Sequence, residues 1–182
     1  MATNNLKIGI ILGSTREGRV SPQVGQWVLD KSKEVENADF EIVDIKTFNL
    51  PLLGTTEDQS AVVKWNEKLQ TLDGFIFVVS EYNHSMSGAL KNALDSARDA
   101  WHHKAAGIVS YGSAGGARAA EHLRGVLGEL MVADVRTQVL MSLFNDFDNY
   151  VTFKPQPLHE ENLKLVFEQV INWSQALKPL RS

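Results

Sequence analysis

Two seven-residue stretches, Leu6–Leu12 and Gly74–Ser80, are almost wholly apolar, and each is followed by a segment whose apolar residues recur at helical spacing. Short apolar runs of this kind suit central strands of a parallel sheet, which is covered on both faces and has no polar side to show. After the first run, Val24, Trp27, Val28 and Val35 share one face of a predicted helix over residues 21–36. Asp39–Ile45 alternates apolar and polar residues, the pattern of an outer strand. Further helices are predicted through Val62, Trp65, Leu69 and Leu72, and over 87–100, 117–130 and 160–177; further strands over 106–111 and 135–141. Residues 142–158, with Asn, Asp and two prolines, read as a long irregular loop. Trp27, Trp65 and Trp173 sit at apolar helical positions and are expected in the core.

Strands that alternate with helices imply an α/β doubly wound sheet. Right-handed crossovers leave few topologies at this length, and the common one is a flavodoxin-like three-layer sandwich: a five-stranded parallel sheet in order 2-1-3-4-5 with helices on both faces. One domain over residues 1–182 is expected. Such sheets bind ligands outside the carboxyl ends of their strands, which singles out three loops: 13–21, 80–87 and 111–117. All three are rich in Gly, Ser, Asn or Tyr.

Composition removes several function classes. A formal net charge of −4 without a basic run offers no footprint for nucleic acid or an anionic membrane. The absence of cysteine excludes disulfides, thiolate metal sites and cysteine nucleophiles, and suits a reducing cytoplasm. The N-terminus lacks a signal-peptide pattern, and no apolar run approaches membrane-spanning length. His102-His103 lacks the spacing that lets one helix hold a metal, so no metal site is expected.

The first loop, Gly13-Ser14-Thr15-Arg16-Glu17-Gly18-Arg19-Val20-Ser21, is a phosphate cradle by composition. It lacks the second glycine of a dinucleotide fingerprint, and Arg19-Val20 stands where a nucleoside-triphosphate loop needs Lys-Ser/Thr. What remains is hydroxyls and two arginines, suited to a terminal monophosphate dianion. In the third loop, Tyr111 replaces the first glycine of a serine-hydrolase Gly-x-Ser-x-Gly turn around Ser113. A hydrolase using Ser113, Asp134 and His159 is therefore disfavoured.

Three segments together carry a family resemblance: Gly13-Ser14-Thr15-Arg16; Glu81-Tyr82-Asn83-His84-Ser85 with Gly88-Ala89-Leu90-Lys91-Asn92-Ala93-Leu94-Asp95; and Tyr111-Gly112-Ser113-Ala114-Gly115-Gly116-Ala117-Arg118. Over roughly residues 6–140 the chain resembles the NADPH-dependent FMN reductases. The resemblance implies that Ser14, Arg16 and Ser21, with Arg19 as a further candidate, hold an FMN phosphate. It implies that Glu81, Tyr82, Asn83 and His84 border the ribityl chain and ring, and that Gly112, Ser113, Ala114 and Gly115 approach the ring with main chain. No side chain is assigned as a catalyst, because the flavin carries the chemistry. NADPH or NADH would give a hydride to the flavin, and flavin, quinone, azo or metal-oxyanion acceptors would then be reduced in a ping-pong scheme. The alternative is a flavodoxin-type electron carrier that does not oxidise NAD(P)H itself. A homodimer or homotetramer is implied in the same way, and the cytoplasm is expected from the absence of cysteine. The sequence departs from the family pattern at Ser80, where many members carry Pro. Lys91–Asp95 reads as helix scaffolding, and Arg118 as a solvated helix-face residue.

Overall fold

The computed structural model describes residues 5–181. Five parallel strands, β1 (Leu6–Leu12), β2 (Ala38–Asp44), β3 (Gly74–Ser80), β4 (Lys104–Gly112) and β5 (Val132–Ser142), form one sheet in the order β2-β1-β3-β4-β5. This is the predicted flavodoxin-like topology, and β1 and β3 keep the predicted bounds. Every residue of β3 is buried, as is every residue of β1 except Lys7. The edge strand β2 is mostly half-buried, which accounts for its alternating composition.

Helices α1 (Ser21–Ser32) and α5 (Leu158–Leu177) cover one face, where Val24, Val28, Val166 and Val170 pack on Ile8, Ile10 and Ile76. Helices α2 (Ser60–Gln70), α3 (Gly88–Asp95) and α4 (Ala117–Glu129) cover the other, where Leu69, Leu90 and Leu123 enclose an aromatic group of Phe75, Phe77, Trp65 and Trp101. Trp101 lies 4.9 Å from Phe75 and 5.8 Å from Trp65, edge to face in both cases.

Several sequence expectations are corrected. The first helix ends at Ser32 rather than residue 36, and Asn37 turns the chain in the left-handed region at φ 67°. Helix α3 stops at Asp95, not residue 100. Its terminal carbonyls are taken by tryptophan indoles: Trp65 Nε1 donates to Ala93 O at 2.8 Å and Trp101 Nε1 to Leu94 O at 3.1 Å. Trp173 is 50% exposed on α5 and is not core. The segment 142–158 is no irregular loop: it contains an antiparallel hairpin of β6 (Phe147–Asp148) and β7 (Thr152–Phe153).

Candidate cofactor site

The loops after β1, β3 and β4 meet at the carboxyl end of the sheet, as the topology requires. Between Ser14 and Val20 the main-chain N–H groups donate to no acceptor among the described residues. A run of unpaired donors on the approach to a helix N-terminus is costly unless something outside the chain accepts from it. The run is held open by Arg19. Its guanidinium donates to the Ser14 carbonyl at 2.5 Å and, through both terminal nitrogens, to the Asp44 carboxylate at 2.6 and 2.5 Å. Asp44 also accepts the Lys46 N–H at 3.0 Å. Burial works to raise the Asp44 carboxyl, but these bonds outweigh it and hold it below the usual range; the same bonds raise Arg19. The two arginines are thereby distinguished. Arg19 is spent inside the protein, whereas Arg16 is exposed with no ion pair among the described residues.

Beneath the loop, the Ser21 hydroxyl on the first turn of α1 and the Ser80 hydroxyl at the end of β3 are buried and make no well-formed hydrogen bond. Both lie near the Tyr111 phenol, which is only 5% exposed. Burial pushes Tyr111 up to about 12, partly offset by the two serine hydroxyls and Arg16. Ser80 and Tyr111 are functional candidates that the motif comparison does not supply; the departure from Pro at position 80 was the available signal.

The second loop is a tight turn. Tyr82 N–H donates to Ser85 O at 2.8 Å and Ser85 N–H to Tyr82 O at 2.9 Å, with Asn83 and His84 both left-handed at φ 48° and 67°. The Asn83 and His84 N–H groups therefore face outward without acceptors among the described residues. Neither side chain caps α3; Ser87 does, accepting from Leu90 N–H at 3.1 Å while donating to the Gly13 carbonyl at 2.5 Å.

Glu81 turns away from the turn that follows it. Its carboxylate, 4% exposed, accepts from Arg118 Nε at 2.7 Å, from Arg118 Nη2, and from the Arg118 main-chain N–H at 3.1 Å. Burial works to raise its carboxyl, and Arg118 and the N–H groups of α4 more than reverse that. Arg118 is thus no solvated helix-face residue: it straps the second loop to the third, with Nη1 2.8 Å from His84 Nε2. The third loop closes through Gly115 and Gly116 at φ 68° and 74°. A Cβ on Gly116 would sit 2.7 Å from the Tyr111 nitrogen, so glycine is required there on both counts. Ser113, Ala114 and Gly116 present N–H groups with no acceptor among the described residues.

A cleft joins these parts. Arg16 and Val20 line it from the first loop, Ser80, Glu81 and Tyr82 from the second, Tyr111 and Gly112 from the third, and Leu143 and Tyr150 from the segment after β5. The hydrolase constellation is not assembled. His159 Nε2 is 2.9 Å from Asp146, and Asp134 accepts from Arg124 instead. Among the described residues no cluster of His, Asp and Glu fits a metal, and no helix is long and apolar enough to cross a membrane.

A flavodoxin-like sheet with unpaired donors at its carboxyl end is suited to a phosphorylated ligand at the strand tips. Residues 6–146 match the family model of the NADPH-dependent FMN reductases. The chain is 35% identical over 149 residues to an NAD(P)H-dependent FMN reductase of Schizosaccharomyces pombe, covering 77% of this chain and 74% of that protein. It is 34% identical over 135 residues to a 2-hydroxy-1,4-benzoquinone reductase of a Burkholderia species, covering 69% and 72%. In fold it is similar to FerB, a flavoenzyme NAD(P)H:(acceptor) oxidoreductase of Paracoccus denitrificans, with a TM-score of 0.76 at 16% identity over 94% of this chain and 98% of that one. The chain belongs to the NADPH-dependent FMN reductase family and is an oxidoreductase of the FMN- and NAD(P)H-dependent kind. The donors of the first loop, the two orphaned serine hydroxyls and the free Arg16 are a chemically fitting set for the phosphate and hydroxyls of FMN.

Proposed function

We propose that this chain takes a hydride from NAD(P)H at an FMN seated in the cleft and passes it to a neutral planar acceptor, a quinone foremost. The observation that carries the reading is the cleft itself, which brings the unpaired donors of the first loop and Arg16 together with the rings of Tyr82 and Tyr150 in one lining. The main-chain N–H groups of 14–20, the Ser14 and Ser21 region and the Arg16 guanidinium hold the phosphate. Arg19 shapes the loop through Asp44 rather than touching the ligand. Ser80 and Tyr111 receive ribityl hydroxyls. The turn at Tyr82–His84 and the main chain of Gly112–Gly116 flank the ring. Glu81 serves by fixing those two loops to each other through Arg118.

Bound FMN supplies the hydride acceptor and donor. The protein's part is electrostatic: the outward N–H groups of Ser113, Ala114 and Gly116 favour negative charge beside them. The dipole of α4 contributes little, because the Glu81 carboxylate already occupies its first N–H groups. Reductant and acceptor use the same open side in turn, a ping-pong scheme. Arg16 is the one arginine or lysine lining the cleft among the described residues, and the phosphate engages it. Metal oxyanions and free FMN thus find no spare cation of that kind, while azo dyes and quinones need none. A quinone is preferred on the name of the Burkholderia relative.

Assembly into two or four copies extends the reading. It is supported by Leu52 and Leu53, 68% and 61% exposed beside a groove lined by Ile45, Leu50 and Ala89. A cytoplasmic location is carried over from the absence of cysteine. The deciding experiment adds NADPH anaerobically to the FMN-loaded protein and follows the flavin absorbance. Bleaching without any second protein is expected; flavin that bleaches only when a separate reductase is added would make the chain an electron carrier.

A further inference from the structure

Tyr150 stands in a conformation that its side chain disfavours. It is the second central residue of the turn between β6 and β7, where Val151 N–H donates to Asp148 O at 3.1 Å. Asn149 and Tyr150 are both left-handed, at φ 49° and 62°. Turns of this type favour Asn then Gly, because a side chain in the left-handed region meets its own backbone. Asn149 fits that preference and Tyr150 does not. Residues held in costly backbone conformations persist where the surroundings fix them, and they cluster at ligand sites.

The surroundings do fix this turn. The Gln23 side chain, from the first turns of α1, donates to Val151 O at 2.8 Å and accepts from Phe153 N–H at 2.9 Å, as a neighbouring strand would. Phe147 packs on Tyr111 at 5.8 Å and on Phe153 at 5.2 Å. At the base of the hairpin Asp146, 2% exposed, accepts from Ser142 N–H at 2.8 Å and Gln156 N–H at 3.0 Å, with His159 Nε2 at 2.9 Å. This rigid arm carries a ring that does not join the core. Tyr150 is 57% exposed, lines the cleft, and meets Phe144 edge to face at 5.9 Å; Phe144 is itself 64% exposed. An aromatic pair held in water by a strained turn, at the mouth of a redox cleft, is built to meet another flat ring.

We propose that Tyr150, backed by Phe144, is a specificity-determining residue that stacks on the acceptor and favours two-ring over one-ring quinones. The inference rests on the functional reading above. Tyr150→Gly removes the ring while keeping the turn, since glycine takes the left-handed conformation freely; Tyr150→Phe keeps the ring. In the FMN-loaded Tyr150→Gly enzyme, KM for a naphthoquinone is expected to rise about five- to tenfold, the worth of one stacked pair. The KM for a benzoquinone should change by less than about half that factor, and Tyr150→Phe should match the unmodified protein. Binding of 2-naphthol to the oxidised enzyme, read by perturbation of the flavin spectrum, should weaken in parallel with the rise in the naphthoquinone KM.

Equal effects on both quinones, or none, would overturn the assignment. So would an effect that accompanies a change in sedimentation, which would place Tyr150 in contact with a second copy of the chain. Unmodified, FMN-loaded protein that reduces neither quinone would overturn the functional reading as well, a result distinct from a failure confined to Tyr150.

Discussion

Both ends of the sheet gather charged and polar groups, yet they are chemically opposite. At the amino end, Asp73 accepts from Lys7 N–H at 3.0 Å and Arg181 at 2.6 Å, with Lys178 at 3.4 Å. There too the buried Lys104 ammonium donates to Leu69 O at 2.7 Å, and Arg181 also donates to His103 O at 2.8 Å. At the carboxyl end the first loop carries a run of N–H groups with no acceptor and an arginine with no ion pair among the described residues, and the Ser21 and Ser80 hydroxyls lie buried beneath it. Polarity alone does not mark a site. Donors gathered on one loop without protein acceptors do, because an anion can take the place of water on several of them at once.

The sharpest way to break this comparison is to substitute one charged group at each pole. Arg16→Ala should weaken FMN binding by about 1.5–3 kcal/mol, the usual worth of a hydrogen bond to a charged group, with little change in melting temperature of the apoprotein. Asp73→Asn should do the reverse. Unfolding free energy should fall by about 1–3 kcal/mol, because Arg181 and the Lys7 N–H lose their charged acceptor, while FMN affinity stays unchanged. Fluorescence titration and denaturant unfolding of both variants check the pair. An Asp73→Asn protein with weakened FMN binding would mean that the poles are coupled.

A smaller effect concerns Lys104. Burial, then Arg181, lowers its ammonium to about 8, against 10.5 for a free lysine. Between those values the unfolded chain binds more protons than the folded one, so stability attributable to this group rises with pH across the window. The cost of burying the charge is full below pH 8. Above pH 10 the trend is opposed by Tyr111, which stays protonated in the fold, at about 12, after it would ionise in the unfolded chain. Lys104→Met should therefore flatten the rise in unfolding free energy between pH 8 and 10, measured by urea titration, and leave FMN binding unaltered.

The same contrast explains what could be read from the chain. The bounds of β1 and β3 were legible because a strand buried on both faces leaves an unbroken apolar run. The length of α3 was not, since it is set by indoles 28 and 7 residues away. The hairpin was hidden because strands of two residues are too short to show alternation. In the first loop, Arg16 and Arg19 look equivalent in sequence. The difference between them is made by Asp44 at the end of β2, 25 residues beyond Arg19. Trp173 misled for the converse reason: it lies three residues beyond the buried Val170, but the buried stripe of α5 continues through Ser174 and leaves the indole on the outward side. Glu81 belongs with Arg19, because its motif marks the site while its partner, 37 residues on, turns the carboxylate inward.

The central claim is that the unpaired donors at the carboxyl end hold a flavin by its phosphate. The most direct measurement titrates FMN and riboflavin separately into the apoprotein and follows quenching of flavin fluorescence. FMN should bind at least about a hundredfold more tightly than riboflavin, the difference expected when two or more charged hydrogen bonds to the phosphate are lost. Equal affinities, or no binding of either, would contradict it.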